Sequence, residues 1–495
     1  MSDNYRHSGS QSRGIIRRIV IEGELILQTP VHFGAGDSDG TTLLVLEDAL
    51  DKKPLLTGSS IAGALRHHLL HRLLGYRVAE TSTTLAAQLF GEAHDNNRGT
   101  QSRLIIDDAI DSTSEKPLEA RNGVKIKGVD RTAEEGALYS FQVWAAGTRF
   151  PLRFELCQYE EDKHVDNERY KSALATALAA LSAGEIPMGA RKHRGYGRGI
   201  VKMWRVHEYL LNTVEGLIDW LQTGGNALQD AHHESIFTAL NTNPILEDAR
   251  QFVCMELTCG LEDSLLIRAG SDVVDMAHLM TYDENGQPEP VLSGTTVAGA
   301  LRARALKVAN TLTIHDATSL IDDMFGKHGD NKGDMPRKDL TASRLIVEEH
   351  PIKNAVFDRV QNRVRIDRFT GGAFDTGLFG QQPVFGTDAT EVIIKLELHY
   401  PTTMDENLIT KINAQVGLLL LLLKDLWTGD LPLGGESGVG RGRLCGKQVI
   451  LHFHNLYHNE SIVIDGTPRD LTPEQRSILS VYVEELQKRR KGGVS

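Results

Sequence analysis

"PLLTGSSIAGALRHHLL", residues 54–70, and "PVLSGTTVAGALRARAL", residues 290–306, decide how this chain is organised. Both contain the same A-G-A-L-R core. Gly58 aligns with Gly294, Ser59 and Ser60 with Thr295 and Thr296, Ile61 with Val297, and Arg66 with Arg302. Other landmarks recur in the same order. "LFGE" (89–92) answers "MFGK" (324–327), and "SRLIIDDA" (102–109) answers "SRLIVEEH" (343–350). "VKIKGVDRTAEEGALYS" (124–140) matches "VRIDRFTGGAFDTGLFG" (364–380), anchored on Asp130-Arg131 and Asp367-Arg368. "IPMGARKHRGYGRG" (186–199) matches "LPLGGESGVGRG" (431–442) with a two-residue gap. Chance seldom keeps five landmarks in register, so the chain reads as a tandem duplication. The expected layout is a disordered N-terminus (1–14), a first domain (15–206), a helical connector (207–249), a second domain (250–455) and a C-terminal extension (456–495). The extension ends in a helix with Thr472 as N-cap before Pro473.

Composition sets the class. The chain has 495 residues, 40% hydrophobic and 24% charged, which is ordinary for a soluble globular protein. Four scattered cysteines without C-x-x-C give neither a zinc signature nor a disulfide framework, and point to a reducing cytoplasm. The apolar run Val416 to Leu423 is too short to span a bilayer and reads as a buried helix, so no membrane partner is expected. The polar N-terminus lacks the apolar core of a signal peptide. A net charge of −12 speaks against a uniformly basic nucleic-acid binder, but a basic groove can lie within an acidic surface.

Each half reads as α+β. It opens on an alternating strand, "RIVIEGELILQTP" or "FVCMELTCGLED". A Gly-containing loop leads to a helix that starts at the repeated motif. There the Ser59–Ser60 pair supplies N-caps, and Ile61, Leu65, Leu69 and Leu73 form one face. A second helix, a Gly-rich loop and a closing strand follow. This order suits a ferredoxin-like, RRM-type core with insertions.

Three segments carry candidate chemistry. Helix starts at Gly58 and Gly294 present free N–H groups and hydroxyls that can receive phosphate, with Arg66 and Arg302 two turns on. The same residues serve equally in a capped, closely packed helix. The loop "RKHRGYGRG" offers backbone amides, the cations Arg191, Lys192, Arg194 and Arg198, and Tyr196 to stack on a base. A turn with solvated charges is the alternative. The loop is not G-x-x-x-x-G-K-[ST], so nucleotide hydrolysis is not indicated. Its second copy is less basic and contains Glu436, Arg441 and Arg443. The third segment follows the opening strand and holds His32, Asp37 and Asp39 in one copy and Arg268, Asp272 and Asp275 in the other. Aligning H-F-G-A-G-D with I-R-A-G-S-D pairs Asp37 with Asp272. Such an acid can be a general base, a metal ligand or a turn former. His67, His68 and His71 have no partner at zinc spacing and read as packing or surface histidines.

Taken together, H-x-G-x-x-D, L-x-G-S-S-x-x-G-A-L-R, S-R-L-x-x-x-D-A, I-D-R-x-T-G-x-A and G-x-R-G-Y-G-R-G resemble the repeat-associated mysterious proteins (RAMPs). More narrowly they resemble the Cas seven backbone subunits of type III CRISPR effector complexes. A chain with two such domains is similar to the double-backbone fusions of type III-D systems. The resemblance implies two tandem ferredoxin-like (RRM-like) domains, each with a thumb β-hairpin insertion. It implies CRISPR guide RNA, complementary target RNA and other subunits of the complex as partners. The RNA-binding residues it suggests are His32, Gly58, Ser59, Ser60, Arg66, Lys125, Lys127, Arg131, Arg191, Lys192, Arg194, Tyr196 and Arg198. In the second domain they are Gly294, Thr295, Arg302, Arg363, Arg365, Arg368, Arg441 and Arg443. Asp37, and Asp272 by the repeat, match the family's catalytic aspartate and would hold a divalent metal, Mg²⁺. Target RNA would then be cut at six-nucleotide intervals by the adjacent 2′-OH, leaving 2′,3′-cyclic phosphate and 5′-OH ends. The second domain departs from the pattern, with Ile267 or Arg268 near the place of the histidine and Gly438-Val439-Gly440 instead of R-G-Y-G. Two other readings stay open: a non-catalytic RNA-binding backbone subunit, and a guide-RNA-processing ribonuclease using His32 as base.

Overall fold

The computed structural model describes residues 14–92, 100–113, 118–126, 133–162, 164–225, 231–270, 273–327, 341–403, 405–456, 461–466 and 471–491. In the first half Gly199–Leu210, Ile15–Leu27, Arg149–Tyr159 and Leu104–Ile106 lie side by side in that order, all antiparallel. Counted along the chain this is order 4-1-3-2, with helices Gly58–Leu74 and His164–Ser182 as the crossovers. It is the βαββαβ ferredoxin-like arrangement. The second half repeats it with Arg443–His454, Gln251–Glu262, Val392–Tyr400 and Leu345–Val347, crossed by helices Gly294–Thr311 and Glu406–Trp427. Ser461–Asp465 adds an edge strand to this second sheet.

Alternation in the opening strand builds the first core. Ile19, Ile21, Leu25 and Leu27 face the helices, and Ile61, Leu65 and Leu69 meet them from the repeated motif. The helix Glu406–Trp427 supplies Leu418, Leu419, Leu422 and Leu426 to the second core. The N-caps differ from the sequence reading. Thr57 and Ser293 are the capping residues, accepting from the amides of Ser60 (3.3 Å) and Thr296 (3.2 Å). Ser59 and Ser60 already lie within the helix, so their backbone cannot take the extended cap conformation. A Cβ on Gly58 would overlap the Ile106 carbonyl, and one on Gly294 the Val347 carbonyl. The motif glycine is therefore where the helix start touches the short strand of its own domain.

Each domain carries one inserted four-stranded sheet: Gly34–Asp39, Thr42–Val45, Ala133–Trp144 and Leu118–Ile126 in the first, and Arg268–Ala269, Met276–His278, Ala373–Gln382 and Gln361–Ile366 in the second. The middle pair is parallel in both. The long hairpins match pair for pair: Val124 faces Leu138 as Val364 faces Leu378, and Ile126 faces Ala133 as Ile366 faces Ala373, with a register break at the same step. Both arms keep one offset. Lys127 and the Asp130–Arg131 anchor of the sequence alignment lie outside the described residues.

Two terminal segments join the domains they follow. Ile236 and Leu240, from the connector, are buried in the first core. The helix Pro473–Lys488 starts with a capping box between Thr472 and Gln475 and packs on Glu406–Trp427 through Tyr482 and Leu486.

Candidate nucleic-acid interface

The Gly-rich turn has the same backbone in both domains. Arg191 and Glu436 take left-handed conformations (φ 59° and 60°), a short 3₁₀ turn follows, and Gly195 and Gly440 (φ 87° and 94°) close it. Gly197 and Gly442 are left-handed too (φ 78° and 80°). These positive angles are what the glycines are for. They remove the two-residue gap: the turns align without insertion, Arg191 with Glu436 and Tyr196 with Arg441.

The first turn does not hang free. It is pressed against the second domain. The Arg194 carbonyl sits where a Cβ on Gly294 would be, and the Glu349 amide where one on Gly195 would be. Arg194 Nη2 donates to the Phe325 carbonyl (3.1 Å), and Arg198 pairs with Glu348. A pocket of about 280 Å³ opens beside this seam, lined by Arg191, Lys192, His193, Arg194, Lys327 and Ser343 among others. Its cations crowd one another. Burial lowers the Lys192 ammonium, burial and Lys192 pull His193 down to about 4, and burial with nearby Arg302 pulls Arg194 down to about 10. Among the described residues no carboxylate lines the pocket, so an anion bound here would offset the burial of Lys192 and Arg194.

Several candidates for RNA contact are already engaged within the protein. Arg66 pairs with Glu80 (2.9 Å), and Arg302 pairs with Asp322 (2.5 Å) and donates to the Gly326 carbonyl (2.7 Å). The amide of Gly58 donates to Asp108 Oδ1 (2.7 Å), which occupies the helix start proposed for phosphate. Ser59 and Ser60 are exposed, their hydroxyls bonded to Thr57; Thr295 is half-buried. Tyr196 (3% exposed) and Arg441 (1%) are core residues and offer no face to a base. In both cases the same cause separates sequence from structure: a polar or aromatic side chain in a Gly-rich loop is expected outward, and the left-handed turn folds it inward.

What those two residues fill is the root of the thumb. In the first domain Arg191 lies over Phe141 (4.2 Å to the ring centre) and Tyr139 (4.9 Å), and Tyr196 meets Phe141 edge-on. Beneath them Arg121 is held by Glu119 (2.8 Å) and faces Glu349 of the second domain at 3.6 Å. Both Glu349 carboxylate oxygens are buried without a hydrogen-bond partner. In the second domain Gln361, Gln381, Glu436 and Arg441 take the corresponding places. Arg441 donates to Gln361 (2.8 Å) and Gln381 (3.0 Å) and pairs with Glu436 (3.2 Å). Arg121 and Phe141 were missed from sequence because strand alternation marks them as ordinary strand residues, and only the hairpin register pairs them; Glu349 was missed because it meets Arg121 from the other domain.

The thumbs themselves point outward. In the second hairpin Phe369 is fully exposed, Arg368 is exposed, Arg365 stacks over Phe374 (4.7 Å), and Arg363 reaches Glu436 (3.3 Å). Arg443, at the start of the closing strand, is exposed. In the first hairpin only the backbone of Lys125 is described, and Lys127 and Arg131 lie outside the described residues.

The acidic loops are less alike than the sequence alignment implied. Leu46 donates to the Phe33 carbonyl as Leu279 does to that of Ile267, and Ala190 donates to the His32 carbonyl as Gly435 does to that of Leu266. His32 therefore aligns with Leu266, one residue from the expected frame. Its ring is buried, with Nδ1 bonded to the Gln142 carbonyl (2.7 Å) and an edge against Phe141. This ring anchors the inserted sheet and is not presented to RNA. Asp37 lies on the wholly exposed strand Gly34–Asp39 and accepts from the Ser38 amide (2.8 Å). Asp272 lies outside the described residues; Asp275 accepts from the Gly380 amide (2.7 Å). Among the described residues no three His, Cys, Asp or Glu side chains converge as a metal site. A lone exposed carboxylate still suits Mg²⁺ held chiefly by water and RNA phosphate. His67 and His71 pack on each other (3.9 Å) and His71 on Tyr76 (4.9 Å), as packing histidines.

Two ferredoxin-like palms, each with an inserted hairpin sheet and a left-handed Gly-rich turn, define a tandem class of RRM-type proteins. The RAMP superfamily profile matches residues 24–201 and again 265–445, so the chain belongs to that superfamily, once per half. No curated protein matches the chain. RAMP membership makes it a CRISPR-associated RNA-binding protein of the kind that works in multisubunit complexes.

Proposed function

We propose that the chain is a guide-RNA-binding backbone subunit of a type III CRISPR effector complex, and that it cuts target RNA paired with the guide. The observation that supports RNA binding is the seam pocket, where Lys192, His193, Arg194 and Lys327 gather and no carboxylate lines the pocket among the described residues. A polyanion is the natural counter-charge for such a cluster. The exposed Phe369 at the thumb tip supports the second element, since an apolar wedge can part neighbouring bases. Sequence would be read by guide–target pairing, and the protein would hold backbone geometry.

For cleavage the supporting residue is Asp37, with Asp272 as its counterpart by sequence. The 2′-OH next to the scissile phosphate attacks phosphorus and loses its proton, and the 5′-oxygen leaves with a proton. The products are a 2′,3′-cyclic phosphate and a 5′-OH. Asp37, on an exposed strand, can take the 2′-OH proton. Mg²⁺ bound at this carboxylate and the phosphate would neutralise charge that develops on the phosphate oxygens. The processing reading loses support, because the His32 ring is buried against the Gln142 carbonyl.

The test is cleavage mapping in the assembled complex, on a 5′-labelled target, with Mg²⁺ or EDTA. Asp37→Ala and Asp272→Ala are each expected to remove one band, the two bands six nucleotides apart. Survival of every band in the double variant would make the chain a scaffold and assign the chemistry to a neighbouring subunit.

A further inference from the structure

The connector helix Val214–Thr223 is mounted with its apolar side outward. It follows the closing strand of the first palm, caps on Thr213 and ends at the left-handed Gly224. Ile19 and Ile21 face the crossover helices, so Val20 points to the other face of the sheet, and there the connector helix covers it together with Tyr209. The side that holds the helix in place consists of Gly216, Asp219, Trp220 and Thr223. A Cβ on Gly216 would overlap the Leu210 carbonyl. Asp219 meets His207 (3.0 Å), and Thr223 shares a hydrogen bond with the Tyr209 hydroxyl (2.9 Å). Trp220 stands edge-on to Tyr209 and beneath Arg18. Val214, Leu217, Ile218 and Leu221 repeat the same i, i+3, i+4, i+7 spacing on the opposite side, and they are 70%, 45%, 47% and 71% exposed.

We infer that this outward stripe seats an amphipathic helix of a different protein, one with aliphatic residues at matching spacing and lysine or arginine along one flank. The inference goes beyond RNA binding and does not depend on whether the chain cuts RNA.

Orientation and charge carry the inference. The terminal helix Pro473–Lys488 turns Tyr482 and Leu486 into the second core, as folding alone dictates. The connector helix does the reverse: polar groups, a glycine and one tryptophan fix it to the sheet, and its aliphatic residues gain nothing until something covers them. The border of the stripe selects what that is. Glu215 is exposed, with no ion-pair partner among the described residues, and the helix carries no lysine or arginine. Asp219, one turn on, leaves its side chain 45% exposed beside His207. Arg18, the cation on the other flank, is already paired with Glu155 (2.9 Å). An acidic border attracts a basic-flanked protein helix and repels RNA phosphate or an anionic bilayer. A second copy would bring the same helix and no base to meet these acids. The stripe lies over the Gly199–Leu210 edge of the first sheet, and Leu104–Ile106 forms the opposite edge, so the site is separate from the Gly58 helix start.

The experiment places the photocrosslinking residue p-benzoylphenylalanine at position 221 of the full chain. The complex is purified from its native cells through a tag on this chain and irradiated, and the crosslinked peptides are sequenced. The expected product is a peptide of another protein with aliphatic residues at three–four spacing and lysine or arginine beside them. In parallel, Leu217→Gln and Glu215→Lys are each expected to lower recovery of that protein about tenfold. Guide RNA content and the melting temperature of the isolated chain should stay unchanged in both. Crosslinks to residues 1–13 of this chain, to a second copy, to RNA, to a protein surface without that pattern, or to nothing would overturn the inference. Undiminished recovery in either variant would do so as well. A melting temperature lowered by Leu217→Gln would show that the stripe packs within the chain, which also overturns it. If the unsubstituted complex carries no guide RNA, the RNA-binding reading alone fails, and the docking site is judged by its own crosslinks.

Discussion

The two thumb roots share a backbone and differ in nearly every side chain. Arg191, Phe141, Tyr196 and Arg121 fill the first; Glu436, Gln381, Arg441 and Gln361 fill the second. The first is an aromatic and cation–π cluster whose buried Arg121 looks across to Glu349 of the other domain. The second pairs within its own domain, with Glu436 drawing in Arg441, Arg363 and Arg268. Position accounts for the contrast. The first root is sealed by a neighbouring domain that brings a carboxylate, so it keeps a cation to meet it. The second lies beside an open face and closes its own network. Backbone form has been kept by the left-handed glycines, and side-chain chemistry has followed the neighbour.

The sharpest way to break this comparison is to replace the same hairpin position, Arg121 or Gln361, in each root. Arg121→Met leaves Glu119 and Glu349 as buried carboxylates without their shared partner. A loss of about 3–5 kcal/mol is expected in denaturant unfolding. Gln361→Met removes one hydrogen bond to Arg441, which keeps Gln381 and Glu436, and about 1 kcal/mol is expected. Equal losses would mean that the seam does not distinguish the roots.

Glu349 gives the next largest effect, and it depends on pH. Burial pushes this carboxyl up from 4.5 to about 7, against the pull of Arg121 and with Glu119 adding to the rise. The folded state thus keeps a proton that the unfolded state releases above 4.5. Stability falls as pH rises from about 4.5 to about 7 and is level above that. Tyr196 and Arg191 complete the charged and titratable surroundings through Arg121 and the turn. Glu349→Gln is expected to reduce this slope, leaving the part that the Glu119 carboxyl, also raised by burial, contributes, and to gain about 1–3 kcal/mol at pH 8. Asp108→Asn, at the exposed counterpart, is expected to leave the slope in place. Urea midpoints measured at pH 4.5, 6 and 8 decide it.

These effects also mark how far the sequence could be read. The duplication, the palm order and the thumb hairpins were legible, because repeated words fix the frame and alternation fixes strand faces. The site was legible only as a region. In "RKHRGYGRG" nothing in the letters says that Tyr196 turns inward while Lys192 borders a pocket; the φ values of Arg191, Gly195 and Gly197 decide that. A gap chosen to superpose two G-R-G strings hid the equivalence of Tyr196 and Arg441. His32 looked chemical because it sits near Asp37 in sequence, yet its ring is spent on the Gln142 carbonyl, more than a hundred positions away. Glu349 could not be found at all, since its importance comes from a residue of the other domain.

A smaller effect separates the two turns. Gly195→Ala places a Cβ on the Glu349 amide and also strains a left-handed residue; Gly440→Ala meets only the strain. The second is expected to cost about 1–2 kcal/mol and to leave the seam closed. The first is expected to cost more and to speed amide exchange at Glu348 and Glu349 specifically. Similar exchange in both variants would show that Gly195 matters for its angle alone.

The finest test concerns charge rather than fold. Lys192 borders the pocket, where no carboxylate lines it among the described residues, whereas its counterpart Ser437 carries no charge. If guide RNA tracks the first turn, Lys192→Ala removes one phosphate contact. Affinity should then fall about equally for guides of any sequence, and the slope of log K against log salt should shrink by about 0.7. Ser437→Ala should change neither. A sequence-dependent loss would mean that the pocket reads a base, and an unchanged slope would mean that the cluster serves the seam instead of RNA. The measurement separates the two because a packing cation and a phosphate-binding cation differ in counter-ion release, even where their effects on stability coincide.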